Sequence, residues 1–274
     1  MDVRRRNSVQ LSGDGQVSLV FAHGFGCDQN MWRLLAPRYA QRFRVLLFDQ
    51  VGNGRSDPAA YGPGRYASLQ AYAEDLVEVV QACADAPVVF VGHSVGAMIG
   101  LLAHLQAPQC FAAHVMIGPS PCYIDDGDCI GGFSRADIDS LLETLEANHL
   151  GWSRTMAPAI MGAPDQPELG VDLSNSFCQT RPEVARQFAR VTFLSDQRAE
   201  LARLDAPTLV IQSSDDFIAS QAVGRYVHRQ VAGSVLRVVD NVGHCPHLSA
   251  PDACASAIDA FLATLPSPHH EPRR

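Results

Sequence analysis

The chain has 274 residues, 47% of them hydrophobic, and a formal net charge of −8. That is enough for one large α/β domain or two small ones with a sizeable core, and the acidic balance argues against nucleic acid or an anionic membrane as the main partner. No run approaches the ~18 consecutive apolar residues of a membrane span.

In chain order, the N-terminus Met1-Asp2-Val3-Arg4-Arg5-Arg6-Asn7 is basic but has no apolar stretch behind it. Neither a secretory nor a twin-arginine signal is expected. A β-turn-β unit follows: Ser8-Val9-Gln10-Leu11, the turn Gly13-Asp14-Gly15, and Val17-Ser18-Leu19-Val20-Phe21-Ala22. With Asp28 and Asn30 as caps, residues 31–39 read as a helix. Val45-Leu46-Leu47-Phe48 reads as a buried strand, and residues 69–83 have helical spacing. Val88-Val89-Phe90-Val91 is a further strand, Ala97-Met98-Ile99-Gly100-Leu101-Leu102-Ala103 a buried helix, and Ala113-His114-Val115-Met116-Ile117 the next strand.

The strand rhythm then stops. Residues 136–148 and 182–194 are helical stretches in a segment rich in turn residues, read as a helical insertion over the sheet. Strands resume at Thr208-Leu209-Val210-Ile211 and Leu236-Arg237-Val238-Val239, and residues 251–265 form a last helix. The fold class is therefore α/β, a mostly parallel sheet covered on both faces. The expected domains are a core of residues 1–123 and 206–265, a lid of 124–205, and a disordered tail of 266–274. Function on such a sheet sits beyond the carboxyl ends of the strands.

Gly92-His93-Ser94-Val95-Gly96 lies between a strand and a helix. This G-x-S-x-G context is the nucleophile elbow of an α/β-hydrolase fold. A serine hydroxyl needs a base, and the base needs an orienting acid. Such folds supply them in the order Ser, Asp or Glu, His. Asp215 and Asp216 follow one later strand and His244 another. One of the two aspartates is expected to cap a helix or face solvent. His247 stands where a helix can begin, so His244 is the better base and His247 a buried structural histidine. The oxyanion donors expected are the backbone N–H groups of Val95 and Phe25, the latter in His23-Gly24-Phe25-Gly26. His23 is read as holding that loop. The pocket is expected to be lined by Phe25, His93, Trp152, Met156, Ile160 and Phe193.

Other features read as structure. Gly52-Asn53-Gly54 lacks the third glycine of a dinucleotide fingerprint, and Asp49, Arg55 and Asp57 tie that loop down. Asp125, Asp126 and Asp128 flank Gly127, but no Glu stands at the distance a calcium loop requires. No metal and no cofactor are expected. The eight cysteines show no metal-type pairing and no convincing disulfide framework, so reduced thiols and a cytoplasmic location are expected.

Longer blocks carry a resemblance. They are Phe21-Ala22-His23-Gly24-Phe25-Gly26-Cys27-Asp28-Gln29, Phe48-Asp49, Val89 to Ala97, Gly118-Pro119-Ser120-Pro121-Cys122-Tyr123, Ala185-Arg186-Gln187-Phe188-Ala189 and Gly243-His244-Cys245-Pro246-His247. They resemble the RsbQ-like branch of the α/β-hydrolase superfamily, which holds a bacterial stress-response regulator and the plant strigolactone and karrikin receptors. The resemblance implies a V-shaped lid of four helices over a mostly apolar pocket. It selects Asp216 as the acid, giving a Ser94–Asp216–His244 triad, and places the oxyanion hole at Phe25 and Val95. It implies a small ester or lactone ligand, butenolide-type among them, and a signalling partner such as a phosphatase with a PAS domain. The sequence departs at Ala22-His23, where the bacterial regulator has Ala-Pro, and at Ala219-Ser220 after the acid residue, where relatives usually have a proline. Three functions follow: a serine esterase or lactonase, a ligand sensor that keeps the triad, and a carbon–carbon bond hydrolase.

Overall fold

The computed structural model describes residues 1–127 and 131–266. The tail residues 267–274, Asp128 of the acidic loop and Cys129 lie outside the described residues. The strands are β1 (Gln10–Ser12), β2 (Ser18–Ala22), β3 (Arg44–Leu47), β4 (Val88–His93), β5 (Phe111–Ile117), β6 (Thr208–Asp215) and β7 (Val235–Val242). They form one sheet in the order β1-β3-β2-β4-β5-β6-β7. β1 runs antiparallel to β3, and every other pair is parallel. The helices are α1 (Val3–Arg6), α2 (Leu69–Cys83), α3 (Val95–Gln106), α4 (Arg135–Ala147), α5 (His149–Met161), α6 (Pro167–Gln179), α7 (Pro182–Phe193), α8 (Arg198–Leu201), α9 (Gln221–Gln230), α10 (Pro246–Ser249) and α11 (Pro251–Leu262).

Parallel strands bury both faces, so they read as continuous apolar runs. β2 shows how the alternation divides them. Val20 and Ala22 pack with Phe90 of β4 and with residues of α2 and α3. Leu19 and Phe21 pack on the other face with Trp32, Tyr39, Ile258 and Phe261. A third cluster joins α4–α7 to Cys27, Met31, Tyr123, Ile218, Cys245 and Leu248 at the ends of the strands.

Three expectations change. The β-turn-β unit is not a hairpin: β1 pairs with β3, which lies between β1 and β2. Residues 31–39 are not one helix but two 3₁₀ turns, Gln29–Trp32 and Ala36–Tyr39. Pro37 enters the second, and a proline has no N–H to donate across a continuous α-helix. The two periodic stretches of the insertion form α4 and α7, but α5 and α6 stand between them. Gly151 and Pro158 lie within α5 and obscure its period in the sequence.

Phe188 of α7 ties the helical segment to the core. Its buried ring lies 4.7 Å from Tyr72 of α2 and 5.8 Å from Phe25. Phe188→Ala is expected to lower unfolding free energy by about 3–5 kcal/mol, through lost apolar burial and a cavity. Urea titration checks this.

Candidate active site

The sheet order sets the site. β2, β4, β6 and β7 all point their carboxyl ends at one region. There they deliver the 23–26 loop, Ser94, Asp216 and His244 respectively. Ser94 sits at φ 54°, ψ −126°, a strained backbone state of the kind that clusters at functional sites. The turn is tight on both sides of it. A Cβ at Gly92 would stand 2.7 Å from the backbone of Ala97, and one at Gly96 would stand 2.7 Å from the carbonyl oxygens of Ala22 and His23. Only glycine fits either place.

Ser94, His244 and Asp216 are brought together. His244 Nε2 lies 2.8 Å from Ser94 Oγ, and Nδ1 lies 2.7 Å from Asp216 Oδ2. The other carboxylate oxygen accepts the N–H groups of Ile218 and Ala219, at 2.8 and 3.1 Å. The carboxylate is thus fixed from both sides. Asp215 is exposed, and its backbone carbonyl accepts the N–H of Gly243 at 2.7 Å. Gly243 has φ +109°, and a Cβ there would collide with the Met161 carbonyl. That turn delivers His244 onto the serine.

Val95 opens α3, where an N–H has no partner inside the helix. The Phe25 N–H makes no hydrogen bond with a described backbone group. His23 holds its loop in place. Its Nε2 accepts the N–H of Gln50 at 3.0 Å, and its Nδ1–H donates to the Gly24 carbonyl at 2.9 Å. Asp49 accepts from the backbone N–H groups of Gln29 and Arg55, both at 2.8 Å.

Ser94 and His244 line a small, mostly apolar cavity. Of the expected pocket residues, Phe25, His93, Ile160 and Phe193 line it. Trp152 stands behind the wall, its ring 6.2 Å from Phe25 and stacked 5.9 Å from Phe177. Met156 packs at the edge of the helical cluster, outside the lining set. Sequence reasoning did not place Cys27, Tyr123, Leu173, Phe177, Thr192, Ile218 and Cys245 in this lining. Tyr123 was visible only as the end of a matching block. Its hydroxyl lies 3.5 Å from Ser94 Oγ, and burial pushes its pKa up to about 12, so it is a neutral phenol. Burial also pushes the thiols of Cys27 and Cys245 up, which makes them poor nucleophiles. The seven described cysteines are all free.

Among the described residues no group of three or more His, Cys, Asp or Glu could hold a metal ion. No helix among them is long and apolar enough to cross a membrane. Asp125 and Asp126 are engaged elsewhere, by the Gly132 N–H and by Arg198.

His247 is buried between Trp32 and His93, with ring distances of 4.6 and 4.4 Å. Burial, then the neighbouring His244, lowers its pKa to about 3. Burial, with His104 next to it, does the same to His114 of β5. Unfolded, both titrate near 6.5. Between about pH 6.5 and pH 3 the unfolded chain therefore binds protons that the folded chain does not, so stability falls as pH falls. The expected slope is about 1.4 kcal/mol per pH unit for each histidine in the middle of that window. Urea titrations at stepped pH check it, and His114→Leu should flatten the slope.

The sequence matches the alpha/beta hydrolase family over residues 19–257, and the chain belongs to that family. It is 35% identical over 256 residues to the strigolactone esterase D14 of Arabidopsis thaliana, covering 93% of this chain and 96% of that one. It is 34% identical over 251 residues to the karrikin insensitive 2 receptor CA of Petunia hybrida, covering 91% and 93%. Among solved structures, a hydrolase from Oleispira antarctica superposes with a TM-score of 0.93 at 38% identity, covering 96% of this chain and 97% of that one.

Proposed function

We propose that the protein hydrolyses small apolar esters or lactones through a Ser94–His244–Asp216 triad. One observation carries this reading. The hydrogen-bonded relay ends at a serine facing a cavity walled by Phe25, Tyr123, Ile160, Leu173, Phe177 and Phe193. Ser94 Oγ attacks the carbonyl carbon while its proton passes to His244 Nε2. Asp216 holds the Nδ1–H and stabilises the imidazolium. The N–H groups of Phe25 and Val95 receive the developing oxyanion. His244 then returns the proton to the leaving alkoxide, which in a lactone stays tethered to the acyl group. Water, deprotonated by His244, attacks the acyl-Ser94 ester; the C–O bond to Ser94 then breaks, His244 returns the proton to Ser94 Oγ, and the acid is freed. The 124–205 segment acts as the lid and keeps bulk water from the oxyanion.

The name of the Arabidopsis relative supports a lactone of the butenolide class among the substrates. Among the described residues no arginine lines the cavity, and the chain contains no lysine. A dienoate carboxylate would find no cation there, which places carbon–carbon bond hydrolysis last. The receptor name of the Petunia relative supports a second reading. In it the same site senses a ligand and the lid surface signals to a protein partner, a PAS-domain phosphatase if the RsbQ likeness extends that far.

Short p-nitrophenyl esters and a fluorogenic butenolide separate these readings. Steady turnover, with an acyl mass on the peptide containing Ser94 in quenched samples, supports the hydrolase. Negligible turnover with a ligand-induced rise in Tm supports the sensor and overturns the first reading.

A further inference from the structure

His93 stands outside the Asp216–His244–Ser94 relay, yet it touches two of the loops around it. It immediately precedes Ser94 and is 2% exposed. Its Nε2 lies 2.9 Å from the backbone carbonyl oxygen of His244. A carbonyl only accepts, so Nε2 carries the proton and donates. Nδ1, on the other edge of the ring, is buried without a hydrogen-bond partner among the described residues. It faces the 23–26 loop so closely that a Cβ at Gly24 would stand 2.8 Å away. The rings of His244 and His247 close on it at 4.9 and 4.4 Å. One imidazole therefore bridges the loop of the base and the loop of Phe25, from the residue next to the nucleophile.

We propose that His93 is a positioning residue that sets the spacing of the nucleophile turn, the base and the 23–26 loop. This rests on the assignment of Ser94 and His244 made above. The hydrogen bond to the His244 carbonyl anchors the backbone of the base, whose Nε2 must stay within reach of Ser94 Oγ. Without the donor that carbonyl is left buried and unpaired, and the His244 turn relaxes toward another partner. A displacement of about 1 Å in such a constellation costs on the order of 100-fold in rate. The ring must also stay neutral, because a second proton on Nδ1 would face Gly24 with no acceptor. Burial, reinforced by His247 and His244, holds its pKa well below the usual value.

His93→Gln and His93→Met have side chains of equal length, but only the first can donate to the carbonyl. With p-nitrophenyl acetate, the glutamine variant is expected to keep kcat within about threefold. The methionine variant is expected to lose about 10- to 100-fold, with KM within about threefold in both. Equal kcat in two folded variants would overturn the proposal. Should the methionine variant not fold, the imidazole nitrogen shifts of native His93 decide. An Nε2–H tautomer held from about pH 8 to about pH 5 supports the role, and an Nδ1–H tautomer or titration in that range overturns it. Ser94→Ala serves as the control. If turnover survives it, the nucleophile assignment fails. If it is inactive while the two His93 variants are equal, only the role of His93 fails.

Discussion

Ser94→Ala is expected to lower kcat for a short ester by at least about 10⁴-fold, with the protein still folded. Alanine removes the one oxygen that His244 Nε2 engages at 2.8 Å. It leaves the cavity walls in place, so ligand affinity should change little. The loss then falls on kcat rather than KM, the pattern of an interaction made in the transition state. Stopped-flow assays on p-nitrophenyl acetate measure the first quantity, and ligand-induced shifts in Tm measure the second. The stability of the apo variant gives an independent control. Ser94 occupies a positive-φ state that alanine shares without relief, so Tm should move by only a few degrees. A variant that retained more than a hundredth of native turnover would remove Ser94 from the mechanism.

Asp216→Asn is the second large effect, about 10⁴-fold on kcat. The reason lies in the tautomer. Asp216 Oδ2 accepts the Nδ1–H of His244, which leaves Nε2 free to take the serine proton. An asparagine that turned its amide toward the ring would donate to Nδ1 instead. The ring proton would then sit on Nε2, facing Ser94 Oγ, and the base would be lost. The amide oxygen can still accept the N–H groups of Ile218 and Ala219, so the fold should survive. Circular dichroism checks that, and the pH–rate profile checks the chemistry. Asp215→Asn is the matched control. Its side chain is exposed and does not reach His244, so its turnover should stay within about twofold. Equal losses in the two variants would reject the assignment.

Much of the sheet was legible because parallel strands buried on both faces declare themselves as apolar runs. Val88-Val89-Phe90-Val91 and Thr208-Leu209-Val210-Ile211 are of this kind, and both sit within strands of the sheet. The pairing of β1 was not legible for a related reason. Its three residues are exposed and carry no burial pattern, and nothing local reveals that β3 lies between it and β2. The 3₁₀ turns around Trp32 and Tyr39 look helical in apolar spacing, since their side chains must still reach the core. Pro37 breaks the backbone without breaking that spacing. The insertion was half legible. α4 opens with the Ser134–Asp137 capping box, whereas Pro158 and Gly151 mask α5 in the sequence.

The pocket shows the same division. Phe25 and Phe193 were expected there and line it. Trp152 was expected there too but stands a layer back, stacked on Phe177. Phe177, on the next helix α6, takes the inner place. Helical periodicity says which face of a helix is apolar, but not which of two apolar layers meets a cavity. Neighbouring helices decide that.

By itself the sequence determined the alternation of strands and helices and the tight turn at Ser94. It also determined the order in which Ser94, Asp216 and His244 follow one another. These are local facts, written in side-chain type and glycine placement. The tertiary structure alone decided that the carboxyl ends of β4, β6 and β7 converge, so that Ser94, Asp216 and His244 meet across 150 residues of chain. It alone decided that His93, a bystander within the motif, hydrogen-bonds the backbone of His244. The reason is geometric. Spacing along a chain fixes neighbours within a turn or a strand, while contacts between strand ends depend on sheet order and on the packing of the helices above them. The serine turn was therefore readable from five residues, but its surroundings were not.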